Sequence, residues 1–192
     1  MIIKKLKKKR LELLKIELIK SKTYTQKTNV SHKSIINELK LIEICLKRVL
    51  KIIYGFHINN QKICFVGVPE VNKKMFNTVI SNTKHLMIPE NTWINGILSN
   101  KTSIFKYLNN KLFLDNSTEF LFQIKQKPKL IVVFNSKLEM NVLIEAKKLK
   151  IPTIVLNSNS FLNEYFLYDL PLNIEHMKNK LFFVLLYSIL KR

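Results

Sequence analysis

The chain has 192 residues, enough for one α/β domain with a real core and too few for two comfortable ones. Its 33 Lys and Arg against 13 Asp and Glu leave a net charge of +20 and a pI near 10.0, which points to a polyanionic partner, either nucleic acid or an anionic membrane surface. Three glycines exclude a glycine-rich phosphate cradle and two cysteines exclude a disulfide framework. Alanine occurs once, at Ala146, with Lys, Asn, Ile and Leu in its place. Those four residues lean toward A- and T-rich codons, as in an organelle's genome.

Residues 1–33 read as a basic N-terminal extension. Lys4, Lys5, Lys7, Lys8, Lys9, Arg10, Lys15, Lys20 and Lys22 stand there against Glu12 and Glu17, among apolar residues that indicate a helix. Five basic residues between Lys5 and Arg10, broken only by Leu6, repel one another without a counter-charge, which RNA phosphate supplies with release of counterions. The segment lacks the apolar core and small-residue cleavage site of a secretory signal, and Glu12 and Glu17 fit a transit peptide poorly.

The rest, 34–192, reads as a single α/β domain. Ile35, Leu39, Ile42, Leu46, Val49 and Ile53 recur every three or four residues on one helical face, with Gly55 as the expected C-cap. Lys62 to Val68 is a continuous apolar run closed by Pro69, the pattern of a strand covered on both faces. A helix with Val71, Met75, Phe76, Val79 and Ile80 inward follows, then a second strand from His85 to Ile88 closed by Pro89. Residues 90–103 hold the only Trp and read as a loop, and 104–127 as a short helical insertion around a turn at Asp115 to Ser117. Leu130 to Phe134 and Pro152 to Leu156 are two more buried strands, separated by a helix with Val142, Leu143, Ala146 and Leu149 inward. A last helix spans Ile174 to Leu190, and its apolar run falls short of the roughly 20 residues that cross a bilayer. This alternation predicts right-handed βαβ units: a flavodoxin-like parallel sheet with helices on both faces, plus the N-terminal helical extension and a shortened helical hairpin insertion.

The strand ends carry little chemistry. Gly67-Val68-Pro69-Glu70 has neither G-x-G-x-x-G nor a Walker-type lysine, and Asn135-Ser136-Lys137 and Asn157-Ser158-Asn159 hold no acid, histidine or nucleophile elbow. Glu70, Glu139, Glu145 and Glu164 are single carboxylates, read as surface or capping residues. Cys45 and Cys64 read as small buried apolar residues, and His32, His57, His85 and His176 show no metal-ligand spacing. No catalytic residue, cofactor or metal is expected. The alternatives of another class are a basic flavodoxin-like nucleotide-binding module or enzyme, which a thermal shift with nucleotides or flavins would reveal, and a membrane-surface protein anchored through residues 1–20.

Three stretches in order carry a resemblance. Ser34-Ile35-Ile36-Asn37 and Lys62-Ile63-Cys64-Phe65-Val66-Gly67 are similar to an H-I-I-N-L helix start and an I-L-F-V-G strand. Trp93-Ile94-Asn95-Gly96-Ile97-Leu98-Ser99-Asn100 is similar to W-L-G-G-x-L-T-N. Pro128 to Phe134, then Glu145-Ala146-Lys147-Lys148-Leu149-Lys150-Ile151-Pro152, resemble P-D-x-L-F-V and E-A-x-x-L-x-I-P. Together they resemble the S-two family of small-subunit ribosomal proteins, organelle type. The first glycine of W-L-G-G is replaced by Asn95, expected to keep its turn at positive φ, and Pro171-Leu172-Asn173 falls where the family shows P-G-N, with a Leu172 that cannot do so cheaply. The family's G-x-H-x-G-H region is not recognisable in Tyr24 to Ser31, and its helical hairpin is shortened.

The resemblance implies a structural constituent of the small ribosomal subunit with no catalytic activity. Its implied partners are small-subunit ribosomal RNA and neighbouring small-subunit ribosomal proteins, with no membrane, no small-molecule substrate and no homo-oligomer. The expected location is the mitochondrial matrix, within the small subunit of the mitochondrial ribosome, with the plastid as the alternative. The residues expected to meet RNA are Lys5, Lys7, Lys8, Lys9, Arg10 and Lys22 by charge, and Trp93, Asn95, Gly96, Asn100 and Lys101 by their place in the loop.

Overall fold

The computed structural model describes residues 32–89, 92–110, 124, 126–134, 140–156, 167–170 and 180–191. Among them the elements run α1 (His32–Ile58), β1 (Ile63–Val68), α2 (Glu70–Ile80), β2 (Leu86–Pro89), α3 (Lys101–Asn110), β3 (Leu130–Val133), α4 (Met140–Lys148), β4 (Thr153–Leu156), β5 (Tyr168–Leu170) and α5 (Lys180–Leu190). The strands form one sheet in the order β2-β1-β3-β4-β5 with every neighbouring pair parallel. That is the flavodoxin-like order, and it confirms the fold class. Three-residue β5, at the edge, was not expected, because so short a strand leaves no periodic signature.

Alternation along the strands sends side chains into two cores. On one face Phe65, Val132 and Ile154 pack with Leu46, Val49 and Ile53 of α1, Phe76 of α2 and Phe183 of α5. Phe65, Phe76, Phe134 and Phe183 meet there at centroid distances of 5.2 to 6.4 Å, and the Phe134 and Phe183 rings stack at 5.6 Å. On the other face Cys64, Val66, Ile131 and Val155 pack with Val142, Leu143 and Ala146 of α4 and with Ile97. A period of two would place Val68 beside Val66. Instead the register shifts between them at Gly67, whose φ is 73°, and Val68 joins the Phe65 face.

α1 does not stop at Gly55, which is helical and exposed. It runs to Ile58, and Asn60 takes the left-handed position at φ 54°, with Gln61 N–H donating to Phe56 O and Asn60 N–H to His57 O. α4 ends the same way: Lys150 has φ 55°, Ile151 N–H donates to Ala146 O and Lys150 N–H to Lys147 O. Both are six-to-one and five-to-two closures of the helix end. They terminate helices at residues that are not glycine.

Leu46, Val49 and Ile53 of the α1 stripe are buried, as are Val142, Leu143 and Ala146 of α4. Cys64 is fully buried, and burial pushes its thiol up to about 12, whereas Cys45 is only half-buried, contrary to the expectation for it. α3 starts at Lys101, inside the stretch read as a loop. The basic extension up to residue 31, residues 111–123 of the insertion, and the loops holding Asn135, Asn157 and Leu172 lie outside the described residues.

Candidate functional site

The Trp93–Asn100 stretch and α4 meet on the second face of the sheet. Glu145, 6% exposed, points its carboxylate into the turn. Oε2 accepts the Gly96 N–H at 3.2 Å. Oε1 accepts the Leu98 N–H at 2.7 Å, the Ser99 N–H at 2.8 Å and the Ser99 hydroxyl at 3.1 Å. A buried carboxylate costs several kcal/mol of lost hydration unless donors replace the water, and converging backbone N–H groups do so without a cation. All four bonds tie the acid to a segment more than 40 residues away in sequence. Glu145 is therefore committed to holding a turn, and its surface reading is corrected to a buried cap of a remote loop.

The turn closes on itself as well. Asn100 N–H donates to Gly96 O at 2.6 Å, Ile97 N–H to Ile94 O at 3.2 Å, and Ile104 N–H to Asn100 O at 3.1 Å, which joins the turn to α3. The left-handed residue is Gly96, at φ 88°, and a Cβ added there would lie 3.2 Å from Ile104 Cδ1. Asn95 does not have a positive φ, contrary to expectation. Only the second position of the pair needs the left-handed region, so the first accepts any L residue.

Trp93, expected to meet RNA, is half-buried and packs against the second core together with Ile94 and Leu98. Its indole Nε1 is buried without a hydrogen-bond partner among the described residues. Asn95, Ser99, Asn100, Thr102 and Ser103 are exposed and form a polar rim around the clamped turn. Such side chains can bond phosphate and sugar oxygens. Nothing is described of the Lys101 side chain, and Lys5, Lys7, Lys8, Lys9, Arg10 and Lys22 lie outside the described residues.

A second polar constellation lies on the opposite face, where α1 ends and β2 begins. His57 Nδ1 and His85 Nε2 are 2.8 Å apart, and the Ile63 N–H donates to His85 Nδ1 at 3.3 Å. His85 therefore carries its proton on Nε2 and donates it to His57, leaving His57 with a donor at Nε2. Burial lowers His57, and burial together with the nearby His57 lowers His85 to about 4, so the pair is neutral at pH 7.

Neither constellation was legible as a site. Glu145 had a signal, since it falls on the apolar stripe of its helix, three residues after Val142 and beside Ala146. The two histidines, 28 residues apart and on different elements, had none. No group of three or more His, Cys, Asp or Glu able to hold a metal occurs among the described residues. No described helix is long and apolar enough to cross a membrane. No model of a known protein family matches the chain.

Proposed function

We propose that this chain is a non-catalytic, RNA-binding constituent of a small ribosomal subunit, of the S-two type, working in mitochondrial translation. The observation that carries the reading is the Glu145 clamp. The Trp93–Asn100 and Glu145–Pro152 stretches each resemble the family, and in the fold the acid that opens one holds three backbone amides of the other. Two motifs bound into one unit are stronger support than two separate likenesses.

The flavodoxin-like strand order and the +20 charge agree with it. At the switch point between β1 and β3, where such sheets hold nucleotides, β1 ends in Gly67-Val68-Pro69 with Val68 buried, and Phe134 after β3 is buried in the aromatic core. In this reading small-subunit ribosomal RNA and adjacent ribosomal proteins are the partners, and Asn95, Asn100 and the lysines of the extension are the RNA-facing groups.

The test is sedimentation of the full chain with small ribosomal subunits through a high-salt gradient. Stable co-migration is expected; migration as free protein at every salt concentration would refute the assignment. Neutralising Lys7, Lys8, Lys9 and Arg10 together should weaken the association and flatten its salt dependence.

A further inference from the structure

Among the described residues, the side of the sheet where the strands begin is basic. Every described strand is parallel, so all strands begin at one edge and end at the other. The described segments entering β1, β2, β3 and β4 are 59–62, 81–85, 126–129 and 149–152; they contain Lys62, Lys84, Lys127, Lys129 and Lys150 and no acid. Exposed Lys191 follows α5 near the same edge.

The strand-entry lysines are ordered in space. In sheet order they run Lys84, Lys62, Lys129, Lys150, and the Lys129 N–H donates to Lys62 O while Lys127 Nζ donates to Leu149 O. Neighbouring strands are about 4.8 Å apart, so this row spans about 14 Å. Lysines near helix C-termini are favoured there by the dipole, which accounts for some of them. The dipole does not account for the cavity that opens beside them.

That cavity, about 990 Å³, lies between the ends of α1, α2 and α5. Its wall includes Tyr54, His57, Lys84, His85, Tyr187 and Lys191, with the Lys191 ammonium 5.7 Å from the Tyr187 ring centroid. Aromatic rings, a ring N–H donor on His57 and two ammonium groups at the mouth fit an unpaired base attached to a phosphodiester.

We propose that the N-terminal edge of the sheet is a track for single-stranded RNA, its phosphates on Lys84, Lys62, Lys129 and Lys150 and one unstacked base in the cavity beside His57. The inference rests on the RNA-binding reading and adds a second contact face, apart from Asn95 and Asn100, and the form of RNA that it takes. It puts the RNA opposite the crevice that α/β folds commonly use.

The experiment measures binding of the full chain to a 20-nucleotide oligouridine over a salt series, with an RNA duplex of equal length and an oligoglutamate for comparison. Substituting Lys62, Lys84, Lys129 and Lys150 with Gln should lower the slope of log affinity against log salt by about 3, at about 0.7 per phosphate contact on a single strand. The same charge removed at Arg48, Lys51, Lys74 and Lys106, exposed on helices, should change the slope far less. Ultraviolet cross-links to oligouridine should map to Tyr54, His57 or Tyr187.

Equal slope losses in the two variants, duplex or oligoglutamate bound as tightly as oligouridine, or cross-links confined to residues 1–31 would overturn the edge track and leave RNA binding standing. Wild-type protein that binds no RNA at low salt would overturn both. Circular dichroism of each variant checks that the fold is kept.

Discussion

The polar constellations at Glu145 and at His57–His85 are built on opposite principles. Glu145 is a single acid whose oxygens take four hydrogen bonds from one turn, so the charge is replaced in kind and the backbone is locked to it. The His57–His85 pair is two rings sharing one proton bridge beside an open cavity, neutral because burial disfavours the charged form of both. One arrangement fixes a loop. The other leaves a titratable surface next to a basic edge, and only the first lies inside the stretches that resemble a family.

The largest effect should come from breaking the clamp. Glu145→Ala strands three backbone N–H groups and the Ser99 hydroxyl, and the cost should be about 3 kcal/mol in urea unfolding, since buried unsatisfied donors cost roughly 1–3 kcal/mol each and water reaches the more exposed Ser99. A loss under about 0.5 kcal/mol would mean that the clamp does not hold the turn. Next, Gly96→Ala should cost about 1–2 kcal/mol, from an L residue forced to positive φ and from the contact with Ile104. The same change at Asn95 should be close to neutral, because that residue has no positive φ.

A third prediction concerns pH. His85 is lowered from 6.5 to about 4 in the folded chain, so the unfolded chain takes up the proton first as pH falls. Stability is full above pH about 6.5, declines toward about 4 and is flat below it, as far as this group is concerned. His57, Tyr54, Lys84, Tyr187 and Lys191 line the same cavity. The difference in urea midpoint between wild type and His85→Gln should shrink as pH is lowered through that window. A difference constant from pH 7 to 4 would contradict a neutral pair.

The smallest effect has the opposite sign. Gly55 is helical and exposed, and a Cβ added there would have nothing within 4 Å, so Gly55→Ala should stabilise α1 by about 0.5–1 kcal/mol. Destabilisation would restore Gly55 as a conformational stop.

The strand and helix pattern was open to reading because periodicity is local. Ile63 to Val68 and Leu130 to Val133 are apolar without a break and are buried on both sides, and Leu46, Val49 and Ile53 of the α1 stripe and Val142, Leu143 and Ala146 of the α4 stripe pack into the cores. Helix ends were read less well, since Asn60 and Lys150 adopt left-handed conformations that composition favours only weakly. Of the candidate site, the turn was found by its motif, but its left-handed residue was misplaced by one position.

By itself the sequence determined the parallel α/β class, the two-sided burial of its strands and the excess of positive charge, all of which follow from neighbouring residues or from counting. Only the tertiary structure decided that Glu145 reaches Gly96, Leu98 and Ser99, that His57 meets His85, and that the strand-entry lysines line one edge. Those contacts depend on strand order and crossover, which bring together residues that no local pattern connects.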